Sequence, residues 1–229
     1  MTSEFANLRY ERKFLGQGLS LAEVVAVVRR HPALFRQVYP PRSINNIYLD
    51  SLTLHDYFDH VKGTANRLKT RIRWYGPLNG HVEAPTLERK IKRGLVGGKS
   101  AHPLSGFTLN GRIARHALDE AIRIAELPET LRLALRCLQP TLVNRYQRQY
   151  WLSACGRFRL TVDWDLQFFA SETGTISAIR PCRRAPAVIL ELKFDSQHAE
   201  DAAAVTNALP LRLARCSKYV LGIDSIGAP

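Results

Sequence analysis

The run at 67–75 (RLKTRIRWY) sets a cation at every second position. In an extended strand, residues two apart share a face. Arg67, Lys69, Arg71 and Arg73 therefore line one side, with Leu68, Thr70, Ile72 and Trp74 on the other. Four further runs segregate in the same way. Glu11 goes with Lys13, and Glu88 with Lys90 and Lys92. Arg157, Arg159 and Asp163 lie opposite Phe158, Leu160 and Val162; Glu191, Lys193 and Asp195 lie opposite Leu190, Leu192 and Phe194. Together these faces carry ten cations and five carboxylates. Arginine forks suit phosphate oxygens and lysine supplies a compact point charge. A few carboxylates among them offer hard oxygen ligands to a divalent metal. For one strand alone, a charged face is simply the wet side of a half-buried sheet. Five such faces turned inward would build a cationic, water-filled cavity for a polyanion, because burying an unpaired ion costs several kcal/mol.

The whole-chain charge points the same way. Across 229 residues, 33 Lys and Arg stand against 20 Asp and Glu, a formal charge of +13 and a sequence pI near 10.0. Such a balance implies a polyanionic partner. A 45% hydrophobic content excludes wholesale disorder. No apolar run reaches the ~18 residues of a membrane helix, and the first fourteen residues contain no apolar signal core. The expectation is a soluble, cytoplasmic protein. Cys137, Cys155, Cys182 and Cys216 form no CxxC pair, so they read as scattered buried thiols rather than a metal or redox motif. Gly16-Gln-Gly18 lacks the glycine and lysine of a P-loop, and the seven histidines show no metal-ligand spacing.

These charged faces need strands to present them. Alternation and β-branched or aromatic content predict strands at 8–15, 45–50, 67–75, 86–92, 141–152, 158–163 and 188–194. Ser20 followed by Glu23 is a capping box opening a helix that ends near His31-Pro32. Further helices are expected at 54–61, 112–127, 129–137 and 200–207, and Gly- and Pro-rich loops at 76–85 and 94–106. The fold class expected is α+β: one domain over 1–229, an antiparallel β-barrel tunnel with covering helices.

Taken in order, the strands resemble the polyphosphate polymerase domain of the vacuolar transporter chaperone (VTC) family, within the CYTH-like triphosphate tunnel metalloenzyme fold. The resemblance runs from Tyr10-Glu-Arg-Lys13 through Asn46-Ile-Tyr-Leu-Asp50, Arg71-Ile-Arg73, Leu87-Glu-Arg-Lys90, Asn144-Arg145, Arg157-Phe-Arg-Leu-Thr-Val-Asp163 and Glu191-Leu-Lys193 to Ser217-Lys218. It implies that Arg71, Arg73, Lys90 and Arg159 grip the reacting phosphates. Lys13, Arg145, Arg215, Ser217 and Lys218 would add substrate contacts, and Glu191 would hold Mn²⁺ or Mg²⁺. Tyr10-Glu-Arg-Lys13 keeps only the Glu-x-Lys part of the ExExK found in the more hydrolytic tunnel enzymes. Val143 stands where the family can show a tyrosine.

The resemblance implies a polymerase that moves the γ-phosphoryl of ATP onto inorganic polyphosphate. Hydrolysis of triphosphates by the same tunnel, and a non-catalytic polyphosphate-binding module, stay open as alternatives. A nucleic acid is not expected as a partner, since Trp74, Phe158 and Phe194 face away from the charges. Coupling to membrane transport would need a separate membrane partner.

Overall fold

The structure is a computed structural model that describes residues 9–93, 96–172, 175–178, 181, 183–185 and 187–227. In chain order it runs β1 (Arg9–Gly16), α1 (Leu21–Arg30), β2 (Arg36–Asp50), α2 (His55–Lys62), β3 (Asn66–Tyr75), β4 (Gly80–Val82), β5 (Thr86–Arg93), β6 (Val96–Pro103), β7 (Phe107–Leu109) and β8 (Arg112–Ala114). It continues through α3 (Arg115–Arg123), α4 (Glu129–Leu135), β9 (Gln139–Leu152), β10 (Arg159–Glu172), β11 (Thr175–Ser177), β12 (Arg183–Ala185), β13 (Val188–Asp195), α5 (Asp201–Asn207), β14 (Arg212–Leu213) and α6 (Lys218–Ile226).

The main sheet is antiparallel in the order β14-β1-β13-β10-β9-β2-β3-β5-β6. Its ladder does not close: among the described residues no backbone pairing joins β6 to β14 or β1, which corrects the expected barrel. The sheet nevertheless curls. Glu11 of β1 meets Lys90 of β5, strands far apart in the ladder, at 2.8 Å. Strand twist brings the two ends toward each other, and side chains rather than peptide groups bridge the gap.

The faces separate as the alternation predicts. On the convex side Phe14, Leu160, Val162, Leu190 and Leu192 pack beneath Val24 and Val28 of α1 and Ala202 and Val205 of α5. Farther along, Ile47, Ile72, Trp74, Leu87 and Val143 pack beneath Leu118 and Ala121 of α3 and Leu131 and Leu135 of α4. The concave side is divided. One half is apolar, with Ile44, Tyr48, Leu142, Phe168 and Ile189 covered by Tyr219 and Ile223 of α6. The other half carries the charges.

Two local devices set this division. In β10 an extra residue between Trp164 and Gln167 shifts the register against β9, with Asp165 at φ 50°. Such a bulge inverts the alternation, so Asp163 and Phe168 face the same side despite opposite parity. In α6, Gly222 lies so close to the sheet that a Cβ there would overlap Leu142 and Phe168. Only glycine lets this helix seat.

The Ser20–Glu23 capping box is present, the Ser20 amide donating to Glu23 at 2.7 Å and the Glu23 amide donating back to Ser20 Oγ at 3.3 Å. Other expectations need correction. Residues 112–114 are a strand paired with β11, so the helix expected from 112 starts at Arg115. Within 94–106, β6 replaces a loop, because β5 supplies a ladder partner to a segment of poor strand propensity. Residues 94 and 95 lie outside the described residues. Cys137 and Cys155 are exposed and Cys216 is half-buried, against the expectation of buried thiols: Cys137 follows the last turn of α4 and Cys155 sits in the turn between β9 and β10. Cys182 lies outside the described residues.

Candidate functional site

Among the described residues, the charged half of the concave face gathers nine cations around four carboxylates. Asp163 is fully buried and accepts from Arg148 Nε at 2.5 Å and Nη2 at 2.6 Å, with Lys218 Nζ at 2.5 Å. Glu191 stands 3.2 Å from Lys218, 3.4 Å from Arg148 and Lys193, and 3.5 Å from Lys13. Glu88 meets Arg71 at 2.7 Å, Lys99 at 2.5 Å and Arg73 at 3.5 Å. Glu11 lies 3.2 Å from Lys13 and 2.8 Å from Lys90. Lys69 donates to Ser217 Oγ at 2.8 Å.

Each group comes from a strand position whose neighbour is fixed by register. Lys13 pairs with Glu191 and Glu191 with Thr161 across three strands. Arg71 pairs with Glu88 and Arg73 with Asn46. Ser217 caps α6, accepting from the Val220 amide at 3.3 Å, and so places Lys218 at the first helical position, facing Asp163.

The electrostatics follow from burial against an excess of positive charge. Burial pushes the Glu191 carboxyl up, but Lys218, Lys13, Arg148 and Lys193 outweigh it and hold Glu191 well below the usual carboxylate range. The same contest, won by Lys13 for Glu11 and by Arg71 and Arg73 for Glu88, leaves each carboxyl at about 2. For Lys69, burial, then Lys13, Lys90 and Arg71, outweigh the attraction of Glu11 and drive its ammonium well below the ordinary lysine value. Burial likewise lowers Lys193 despite Glu191. Lys13, beside Glu191 and Glu11, and Lys218, beside Asp163 and Glu191, are instead raised against the opposing effect of burial. Around Lys69 and Lys193 the cavity is short of negative charge, which a bound polyanion would supply.

Neutral donors complete the lining. Arg73 Nε donates to Asn46 Oδ1 at 2.9 Å, and Asn46 Nδ2 donates to Asn144 Oδ1 at 2.8 Å. This chain ends on Asn144 Nδ2, which is buried without a partner; Thr161 Oγ1 is another such atom. Buried donors without acceptors are uncommon, and an oxygen-rich ligand would satisfy them.

The structure brings Lys13, Arg71, Arg73, Glu191, Ser217 and Lys218 together. Lys90 reaches the rim through Glu11, with its side chain 54% exposed. Arg159 is exposed on the same face, in register with Lys193. Arg215 is exposed beside Arg67, the guanidinium of each standing 3.9 Å from where a Cβ on Gly63 would lie. Arg145 belongs elsewhere: it reaches Ser43 on the convex side at 3.4 Å and lines a separate hollow with Pro77, Leu78 and Gln167. On the concave face of β9, three residues after Arg145 and Val143, stand Arg148 and Tyr146, with the Arg148 guanidinium 5.3 Å from the Tyr146 ring centroid. Tyr146 Oη accepts from Arg73 at 3.4 Å, and Lys218 lies 4.9 Å from its ring centroid. Lys99 also escaped the sequence reading, because it falls in the segment expected to be a loop.

The family model of the VTC domain matches residues 8–226. The chain belongs to the VTC-domain family. No curated protein sequence matches it. Solved structures share the fold of this VTC domain at low identity. A candidate adenylate cyclase from Vibrio parahaemolyticus is 13% identical, with a TM-score of 0.51, covering 94% of this chain and 98% of its own. A Pyrococcus horikoshii protein is 13% identical at a TM-score of 0.50, covering 94% and 99%. A candidate adenylyl cyclase from Hippeastrum, described as having a dominant triphosphatase activity, is 10% identical at 0.50, covering 98% of both chains.

A divalent cation is implied by the family resemblance. Among the described residues no group of three or more His, Cys, Asp or Glu could cage one. Glu11 and Glu191 are ionised hard-oxygen donors that both contact Lys13. One or two carboxylates fit a cation that completes its shell with substrate phosphates, as magnesium-type ions commonly do. Among the described residues, no helix is long and apolar enough to cross a membrane.

Proposed function

We propose that this VTC domain is an ATP-dependent polyphosphate polymerase. The observation that carries the reading is the concave cluster itself: among the described residues, nine cations from six strands and α6, several of them buried, gather around four carboxylates. Phosphoryl transfer requires little covalent chemistry from protein; alignment and positive charge where negative charge develops do most of the work. Arg71, Arg73 and Arg148 would clamp the triphosphate, while Lys13 and Lys218 face it from the opposite wall. A terminal oxygen of the polyphosphate chain attacks the γ-phosphorus, the β–γ bridging bond breaks, and ADP departs with its electron pair. That oxygen is already anionic, so no side chain is required as a base. Glu191, with Glu11 beside Lys13, would hold Mn²⁺ or Mg²⁺, whose charge neutralises phosphate oxygens when bound.

Hydrolysis is the second reading, favoured by the activity described for the Hippeastrum neighbour. One assay separates them: purified protein with ATP and Mn²⁺, following ADP, free phosphate and polymer together. Polymerase activity gives ADP matched by polymer; ADP matched by free phosphate moves the assignment to a triphosphatase. In the same assay Arg71→Ala should lower turnover at least a hundredfold while the protein stays folded. Unchanged turnover in that variant would remove the cavity from the mechanism.

A further inference from the structure

Beyond the last cations, the charged face changes character. Tyr75 follows Arg73 by two residues on β3, and Tyr150 follows Arg148 by two on β9. The shared parity keeps each tyrosine on the concave side, about 7 Å farther along its strand. Tyr39 of β2 is in register with Tyr150, after the irregular stretch at Pro40 and Pro41. The Tyr39 and Tyr150 rings meet edge to face with centroids 5.9 Å apart. Arg42, in register with Arg148, lays its guanidinium 5.1 Å from the Tyr39 centroid and 5.7 Å from that of Tyr150. Among the described residues Arg42 has no carboxylate partner. Tyr39 and Tyr75 are each 53% exposed, whereas the concave-face aromatics deeper in, Tyr48, Tyr146 and Phe168, are buried.

We propose that Tyr39, Arg42, Tyr75 and Tyr150 form a shelf that stacks the aromatic base of a nucleoside triphosphate whose phosphates lie in the charged cavity. The inference rests on the phosphate-binding reading of that cavity. Tyrosine rings and a planar guanidinium are the groups on which bases stack, and they begin one strand step past Arg73 and Arg148, at a ribose-scale distance from the phosphate clamp. An inorganic triphosphate carries nothing to place there. The shelf therefore makes the domain selective for a nucleotide over tripolyphosphate, and for large purine faces over smaller pyrimidines. It also revises the expectation that aromatics turn away from the charges: Trp74 does, but its neighbour Tyr75 does not.

The test compares ATP, UTP and tripolyphosphate binding to wild type and to the Tyr39→Ala/Tyr75→Ala double variant. ATP affinity should fall roughly tenfold in the variant, UTP affinity less, and tripolyphosphate affinity not at all. The unchanged tripolyphosphate affinity doubles as the folding control. Tyr39→Phe/Tyr75→Phe keeps both rings and should bind ATP as wild type does. Ethenoadenosine triphosphate should lose fluorescence on binding wild type through stacking, and keep it on binding the alanine variant. Equal losses for ATP and tripolyphosphate, or no loss for either, would overturn the shelf while leaving the cavity reading intact. If wild type binds neither ligand, the cavity reading fails and the shelf fails with it.

Discussion

The two halves of the concave face are built on the same strands and by the same alternation, yet they solve opposite problems. In the apolar half, Tyr48, Leu142, Phe168 and Ile189 are covered by α6, and burial itself is the stabilising term. A few residues along, β9 changes from Leu142 to Tyr146 and Arg148, and β13 from Ile189 to Glu191 and Lys193. There the helix cover ends at Lys218, and burial becomes a cost that only counter-charge can offset. A half filled by its own chain is complete; a half with surplus cations leaves room for the negative charge that the proposed polyanion would bring.

Acid should separate the halves most sharply. Glu11 and Glu88 sit at about 2 in the folded protein, below the ordinary glutamate value near 4.5, and Asp163 and Glu191 are also lowered. A carboxyl held low in the folded state contributes stability that is complete above the unfolded value and lost as pH falls through the folded one. Urea midpoints should therefore hold from neutral pH down to about 4.5 and fall steeply toward pH 2. A flat profile across that window would show that the charged half contributes nothing to the fold.

Asp163→Ala should come next in size. It strands Arg148 and Lys218 without their shared carboxylate, a loss of about 3–5 kcal/mol for a broken buried pair. Added tripolyphosphate should recover more stability in this variant than in wild type, read as a larger shift in the urea midpoint. Gly222→Ala attacks the other half and should cost about 1–3 kcal/mol through overpacking. Tripolyphosphate should stabilise that variant no more than it does wild type, so the difference between the two rescues measures how independent the halves are.

Much of the site was legible because a period of two survives in sequence wherever a strand is regular. Arg71, Arg73, Glu88 and Glu191 follow from it directly. The rest depended on facts that no local pattern carries. Arg145 and Arg148 have opposite parity, and nothing but the register of β9 against β2 and β10 decides which enters the cavity. The bulge at Asp165 inverts the alternation of β10, which hides that Phe168 shares a face with Asp163. Lys99 was missed because Gly97 and Gly98 read as a loop, though β5 holds them in a ladder. Helix α6 was missed because its seat depends on a glycine that ordinarily disfavours helices. Closure of the barrel, which the ladders among the described residues do not complete, was expected for a related reason: charged faces require curvature, but they do not require the last ladder to form.

On the proposed polymerase reading, the absence of that ladder among the described residues bears on how a long polyphosphate would be loaded. A sheet closed by peptide hydrogen bonds forms a ring, and a polymer enters a ring only by threading a free end. Here the described strands meet through the Lys90–Glu11 contact, between side chains that water can reach. Such a contact is worth at most about 1 kcal/mol and can part without disturbing any strand. A chain many times longer than the cavity could then be laid in sideways at any internal phosphate, so its length would set no penalty on finding the site.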